Sequence, residues 1–157
     1  QKTGSTPEQQ AQIRATNTQR GADVGFAFNP SGRGRVYNTF NAHRLLHWAG
    51  LESAPKQLAL KKALLVACHG QSQAMESDEV LLTAAAQAGL DLPRAKAILA
   101  SEEFATEVRQ AEAFYSRQGV SSVPAVIIND RHLISGGQPV TVFEQALRQI
   151  AAQPSAN

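Results

Sequence analysis

Apolar residues recur at helical spacing over most of this chain and at strand spacing in two short stretches. Thr6 before Pro7, Glu8 and Gln9 predicts a capped helix running to about Arg20, with Gly21 as its stop. Its apolar content is thin, only Ala11, Ile13 and Ala15, so it reads as a surface helix. Val24, Phe26 and Phe28 alternate with small residues, a strand-like pattern, and Asn29 to Arg35 is a turn-rich loop. Asn38 or Thr39 caps a helix carrying Phe40, Ala42, Leu45, Leu46 and Ala49, with Gly50 at its end. Pro55 opens a helix that is apolar almost all round, which predicts a central place in the core, and which ends near Cys68-His69-Gly70. Ser77 and Asp91 cap two more helices, the first stopped by Gly89 and the second covering Leu92 to Ala100. Ser101 is the expected cap of a long helix with the stripe Phe104, Val108, Ala111 and Tyr115, ended by Gly119.

After Gly119 the pattern changes. Ser121-Ser122-Val123-Pro124 leads into Ala125 to Ile128, apolar throughout, which predicts a strand buried on both faces. Proline donates nothing to a sheet ladder, so Pro124 suits the head of that strand. Asn129-Asp130 predicts a turn, His132-Leu133-Ile134 a return strand, and Gly136-Gly137 the exit to a strongly periodic last helix. Residues 153–157 read as a disordered tail.

Composition narrows the picture. With 157 residues and 43% hydrophobic residues the chain can bury a real core. A net charge of +2 from mixed charges gives no basis for nucleic-acid or membrane-surface binding, and no apolar run approaches a membrane span. Cys68 is the single cysteine, so no intrachain disulfide forms. That points to a reducing compartment, read here as a bacterial cytoplasm.

Candidate chemistry is sparse. His43 and His47 share a helix face at i and i+4, a spacing that metal sites use. No further ligand is evident, so the expectation is no metal, with one histidine packed and one exposed. Arg44 near a capped helix end could meet an anion, as could the basic loop with Arg33 and Arg35. Cys68 and His69 are adjacent and point about 100° apart on a helix, so they make no nucleophile pair. Cys68 reads as a small core residue.

Three motifs in order, Asn38-Thr39-Phe40-Asn41-Ala42-His43-Arg44-Leu45-Leu46, Gly119-Val120-Ser121-Ser122-Val123-Pro124 and Ile134-Ser135-Gly136-Gly137-Gln138-Pro139, carry a resemblance. The chain resembles the DsbA family of thiol-disulfide oxidoreductases, in its FrnE-like branch. The resemblance implies an α/β, thioredoxin-like fold with a large helical insert. Here it would comprise residues 1–100 as the helical part and 101–152 as the C-terminal half of the thioredoxin-like domain, giving a chain mostly α-helical plus a β-hairpin. It also implies a cis Val123-Pro124 bond, with Ser122, Val123 and Pro124 facing substrate and Asn38, His43, Gly137 and Gln138 lining the site. No cofactor is implied, glutathione being a conceivable redox partner. The substrate would be a protein or small thiol or disulfide.

The family's Cys-x-x-Cys, which carries its redox chemistry, has no counterpart here, and Cys68 matches neither of its positions. The chain therefore reads as a fragment, inactive by itself, with no catalytic residue of its own. An apolar strand with one neighbour leaves a slot that N-terminal strands of a longer protein, or a homodimer, would fill. Two other readings stand beside the oxidoreductase. One is a glutathione-dependent isomerase or kappa-class transferase of the same fold, which uses a serine. The other is a non-catalytic helical binding module.

Overall fold

The computed structural model describes residues 6–32 and 35–153, and the chain divides into two compact units between Val108 and Arg109. The expected tail Pro154–Asn157 and Arg33 of the basic loop lie outside the described residues.

Helix α1 (Pro7–Asp23) opens on a reciprocal cap. Gln9 N donates to Thr6 Oγ1 at 3.3 Å, and Thr6 N donates to Gln9 Oε1 at 2.9 Å. Gly21 does not stop this helix. It lies inside it because a Cβ there would come within 2.6 Å of the Phe28 ring and 2.8 Å of the Phe26 carbonyl. The alternating stretch Val24 to Phe28 is not a strand either. The amides of Val24, Gly25 and Phe26 fold back onto the carbonyls of Gly21 and Ala22 at 2.8–3.1 Å, which takes them out of any ladder. Phe26 and Phe28 meet edge to face instead, with Phe28 also against His69.

The core is a closed ring of four helices, α2 (Phe40–Glu52), α3 (Ala54–Leu65), α4 (Asp78–Gln87) and α5 (Leu92–Leu99), with α5 packing back on α2. Leu45, Leu60, Leu81 and Ile98, one from each helix, are fully buried. Each contributes roughly 1.5–3 kcal/mol of burial free energy. Ala42, Ala49, Ala84, Ala85 and Ala95 fill the spaces between them and let the helices approach closely. Gly50 continues α2 rather than ending it. It lies beneath Gln57 of α3, whose Nε2 donates to the Leu46 carbonyl at 3.0 Å.

Helix α3 is less enclosed than its sequence suggests. Leu60 and Leu64 are buried while Leu58 is 56% exposed, so only one face enters the core. A single π turn, Val66–Gly70, follows it and buries Ala67 and Cys68. Asp91 caps α5 by accepting from Arg94 N at 2.8 Å.

Helix α6 (Ala105–Arg117) begins later than expected. Ser101 does not cap it. Its hydroxyl donates to the Ile98 carbonyl at 3.1 Å and accepts from Glu103 N at 3.3 Å, closing the end of α5. Phe104 lies at φ +61°, left-handed backbone that no helix interior uses. It is therefore a break between helices, and the buried stripe reduces to Ala105 and Val108.

The second unit holds the rest of α6, a hairpin and α7 (Val140–Ala151). Strands β1 (Ala125–Ile128) and β2 (His132–Ser135) pair antiparallel, with Ala125 opposite Ser135 and Ile128 opposite His132. Arg131 N donates to the Ile128 carbonyl at 3.2 Å. Asn129 and Asp130 between them both lie at positive φ, the pattern of a I′ turn. Strand β1 is not buried on both faces here: Val126 and Ile127 are each 37% exposed. No side chain from residue 109 onward is buried among those described, because two strands offer each other edges and no covering layer.

Candidate functional site

The second unit brings two of the expected loops together. Gly136 N donates to the Pro124 carbonyl at 2.8 Å, directly beyond the Ala125–Ser135 pair that ends the ladder. The loop holding Ser122, Val123 and Pro124 thus lies against the one holding Gly136, Gly137 and Gln138. Two bonds shape the second loop. Gln138 N donates to the Gly136 carbonyl at 3.0 Å, and its Nε2 donates to the Ser135 carbonyl at 2.9 Å. Gly136 lies at φ +80°, which a side chain would resist. The Val123-Pro124 bond is cis.

Ser122, Pro124, Gly137 and Gln138 are exposed, and Val123 is 87% exposed. The Val123 backbone makes no hydrogen bond to another described residue. Its N–H and C=O are therefore available to an extended chain, which pairs through alternating main-chain bonds.

Asn38 and His43 belong to the first unit. Asn38 Oδ1 accepts from Phe40 N at 2.9 Å, so this side chain turns the backbone into α2. A shallow depression beside it is lined by Phe40, Asn41 and Glu76. Glu76 carries an ion pair with Arg35, whose guanidinium also lies 5.0 Å over the Tyr37 ring. His43 is exposed; His47 is half-buried, its ring 5.2 Å from that of Phe104. Among the described residues no group of three or more His, Cys, Asp and Glu is placed to hold a metal ion.

Arg44 is not the anion-binding residue its sequence position suggested. It is 2% exposed, and its donors are taken up inside the protein. Nε donates to the Glu103 carbonyl at 2.8 Å and Nη1 to Asn41 Oδ1 at 3.0 Å. Nη2 donates to the carbonyls of Ile98 and Ser101, each at 2.5 Å. The spacing Asn41, Arg44, Leu45, Trp48 is one helix stripe, and that stripe was the available signal for burial. The left-handed Phe104 carried no such signal. Beside this cluster, Arg94 grips the Glu103 carboxylate with both Nη atoms, the Nη1 contact being 2.7 Å. The hydrogen bond from Arg94 holds the Glu103 carboxyl below the usual glutamate range.

Residues 4–148 match the family described as the DSBA-like thioredoxin domain. The chain belongs to that family. DSBA-like membership supports the thiol-disulfide oxidoreductase class in general terms. Among solved structures the chain is similar to a crystal structure of a candidate protein disulfide isomerase from Nitrosomonas europaea. The two share 22% identity with a TM-score of 0.71, over 96% of this chain and 78% of the other. The likeness shows the fold, a DsbA-like thioredoxin fold that is mostly helical with a small antiparallel sheet. No curated protein matches the chain. Among the described residues no helix is long and apolar enough to cross a membrane.

Proposed function

We propose that this chain is the substrate-facing part of a FrnE-like thiol-disulfide oxidoreductase whose reactive cysteine pair is not among these 157 residues. The observation that carries the reading is the open residue Val123, 87% exposed, next to Pro124 whose carbonyl accepts from Gly136 N, in a chain of the DSBA-like family. Val123 would pair with the main chain of a thiol or disulfide substrate, positioning its sulfur for exchange. Gly137 and Gln138 line the adjoining loop, and Asn38 and His43 are assigned to the site by the family resemblance alone.

Cys68 takes no part in this scheme. It is 7% exposed, within the core cluster that includes Leu64 and Met75. A thiolate must reach its target disulfide to attack it, and burial prevents that. Residues 1–100 would form the helical insert and 101–152 the thioredoxin-like part. The half-exposed apolar residues of β1 support a further strand beside it in the intact protein. The assay is reduction of insulin by dithiothreitol in the presence of the intact protein, followed by turbidity. Acceleration, lost on replacing a Cys-x-x-Cys pair outside these residues, is the expected result; no acceleration by the intact protein overturns the reading.

A further inference from the structure

Three places in the fold stand out beyond the candidate site: the uncovered apolar residues of the second unit, the π turn with Cys68, and the buried guanidinium of Arg44. Nothing in the structure shows what covers the first, and a lone cysteine makes no site. Arg44 differs, because its hydrogen bonds, apart from the one to Asn41, all go to a single distant segment.

That segment is Ile98 to Phe104. The guanidinium donates to three main-chain carbonyls within it, those of Ile98, Ser101 and Glu103, across 54 to 59 positions of sequence. Ile98 lies in the last turn of α5, and Ser101 and Glu103 follow it before α6, so the guanidinium meets the partly negative end of the helix and the carbonyls just beyond it. A buried cation there supplies donors and charge together. No carboxylate is hydrogen-bonded to Arg44; the nearby Glu103 carboxylate is held by Arg94 instead. The planar fork fits several acceptors at fixed angles, which a lysine ammonium cannot copy. At the far end of the segment is Phe104, at φ +61°, its ring tilted against that of His47 one turn along α2 from Arg44. A left-handed phenylalanine is costly and persists only where its surroundings over-determine it.

We propose that Arg44, oriented by Asn41, is a positioning residue that fixes the joint between α5 and the first turn of α6 within the first unit. Asn41 Oδ1 receives Nη1 and holds the fork in plane; Arg44 supplies the three bonds; His47 seats the Phe104 ring. The joint is then a rigid corner made by one face of α2.

The test is amide hydrogen exchange on the full chain, comparing Arg44→Met, Arg44→Lys, Arg44→Ala and Asn41→Ala with the parent. Exchange of amides 98–108 is expected to rise roughly tenfold or more in Arg44→Met, with those of α4 unchanged. Arg44→Lys should fall between the two. Methylguanidinium, as the chloride at millimolar concentration, should restore protection to Arg44→Ala, which a general loss of packing would not allow. Should Arg44→Met fail to fold, Asn41→Ala decides, with a smaller rise confined to the same amides. Unchanged exchange at 98–108, an equal rise through all four ring helices, or no rescue by methylguanidinium would overturn the assignment.

Discussion

Arg44 Nε donates to the main-chain carbonyl of Glu103 at 2.8 Å, joining residues 59 positions apart. The bond ties the second helix of the chain to the corner before α6. It also places the Arg44 charge near the Glu103 carboxylate, which Arg94 holds.

A pH dependence follows from that carboxylate. Arg94 depresses the Glu103 pKa in the folded state, so the folded protein binds its proton less readily than the unfolded chain does. The stabilisation is present above the ordinary glutamate value, about 4.3, and is lost as pH falls through the lower, folded value. Glu103→Gln should therefore destabilise the protein at pH 7 by a small amount, since both side chains are partly solvated. The gap between parent and variant in urea melts should close below the carboxylate range. A gap that widens toward low pH would contradict this.

Gly21→Ala is expected to destabilise, although alanine is the better helix former. The new methyl meets an aromatic ring and a main-chain oxygen, neither of which yields cheaply. A loss of about 1–3 kcal/mol in thermal or urea unfolding is expected. A gain would show that Gly21 is only a weak helix residue with space above it.

Leu45→Ala and Leu60→Ala remove fully buried side chains from facing helices α2 and α3. Each should cost roughly 2–5 kcal/mol. Leu58→Ala, on the exposed face of α3, should cost far less. Equal losses at positions 58 and 60 would contradict the one-sided burial of that helix.

Helix starts were legible where a side chain caps the first turn, because capping is local, and Ser101 misled because its hydroxyl closes the end of α5 instead. Thr6 with Gln9, and Asp91 before Pro93, announce themselves within four residues. The hairpin was legible for the same reason, through Asn129-Asp130. What the sequence hid was contact between one element and another. Gly21 and Gly50 were read as stops, since glycine marks both a helix end and a close approach, and the partners that separate these meanings, Phe28 and Gln57, come from elsewhere in the chain. Phe104 fitted a helical stripe perfectly well and was displaced by contacts with α2. In the candidate site, the loops around Pro124 and Gly136 could be expected to meet once the hairpin was placed. The burial of Arg44 depended on carbonyls more than fifty residues away.

The apolar residues of β1 also make a prediction about assembly. Val126, Ile127 and Leu133 are each 37% exposed on a two-stranded ribbon, an arrangement marginal in water. A chain of these residues alone should self-associate, or bind the dye ANS strongly, in a manner relieved by Ile127→Lys. A stable monomer by light scattering that binds no ANS would contradict it.

The most direct test of the functional account is the dithiothreitol–insulin assay run on the 157-residue chain itself, with and without Cys68→Ser. The account predicts no acceleration by either form, because the one thiol is buried in the helical core. Acceleration by the parent chain that Cys68→Ser abolishes would contradict it, and would place the reactive sulfur in the π turn after α3.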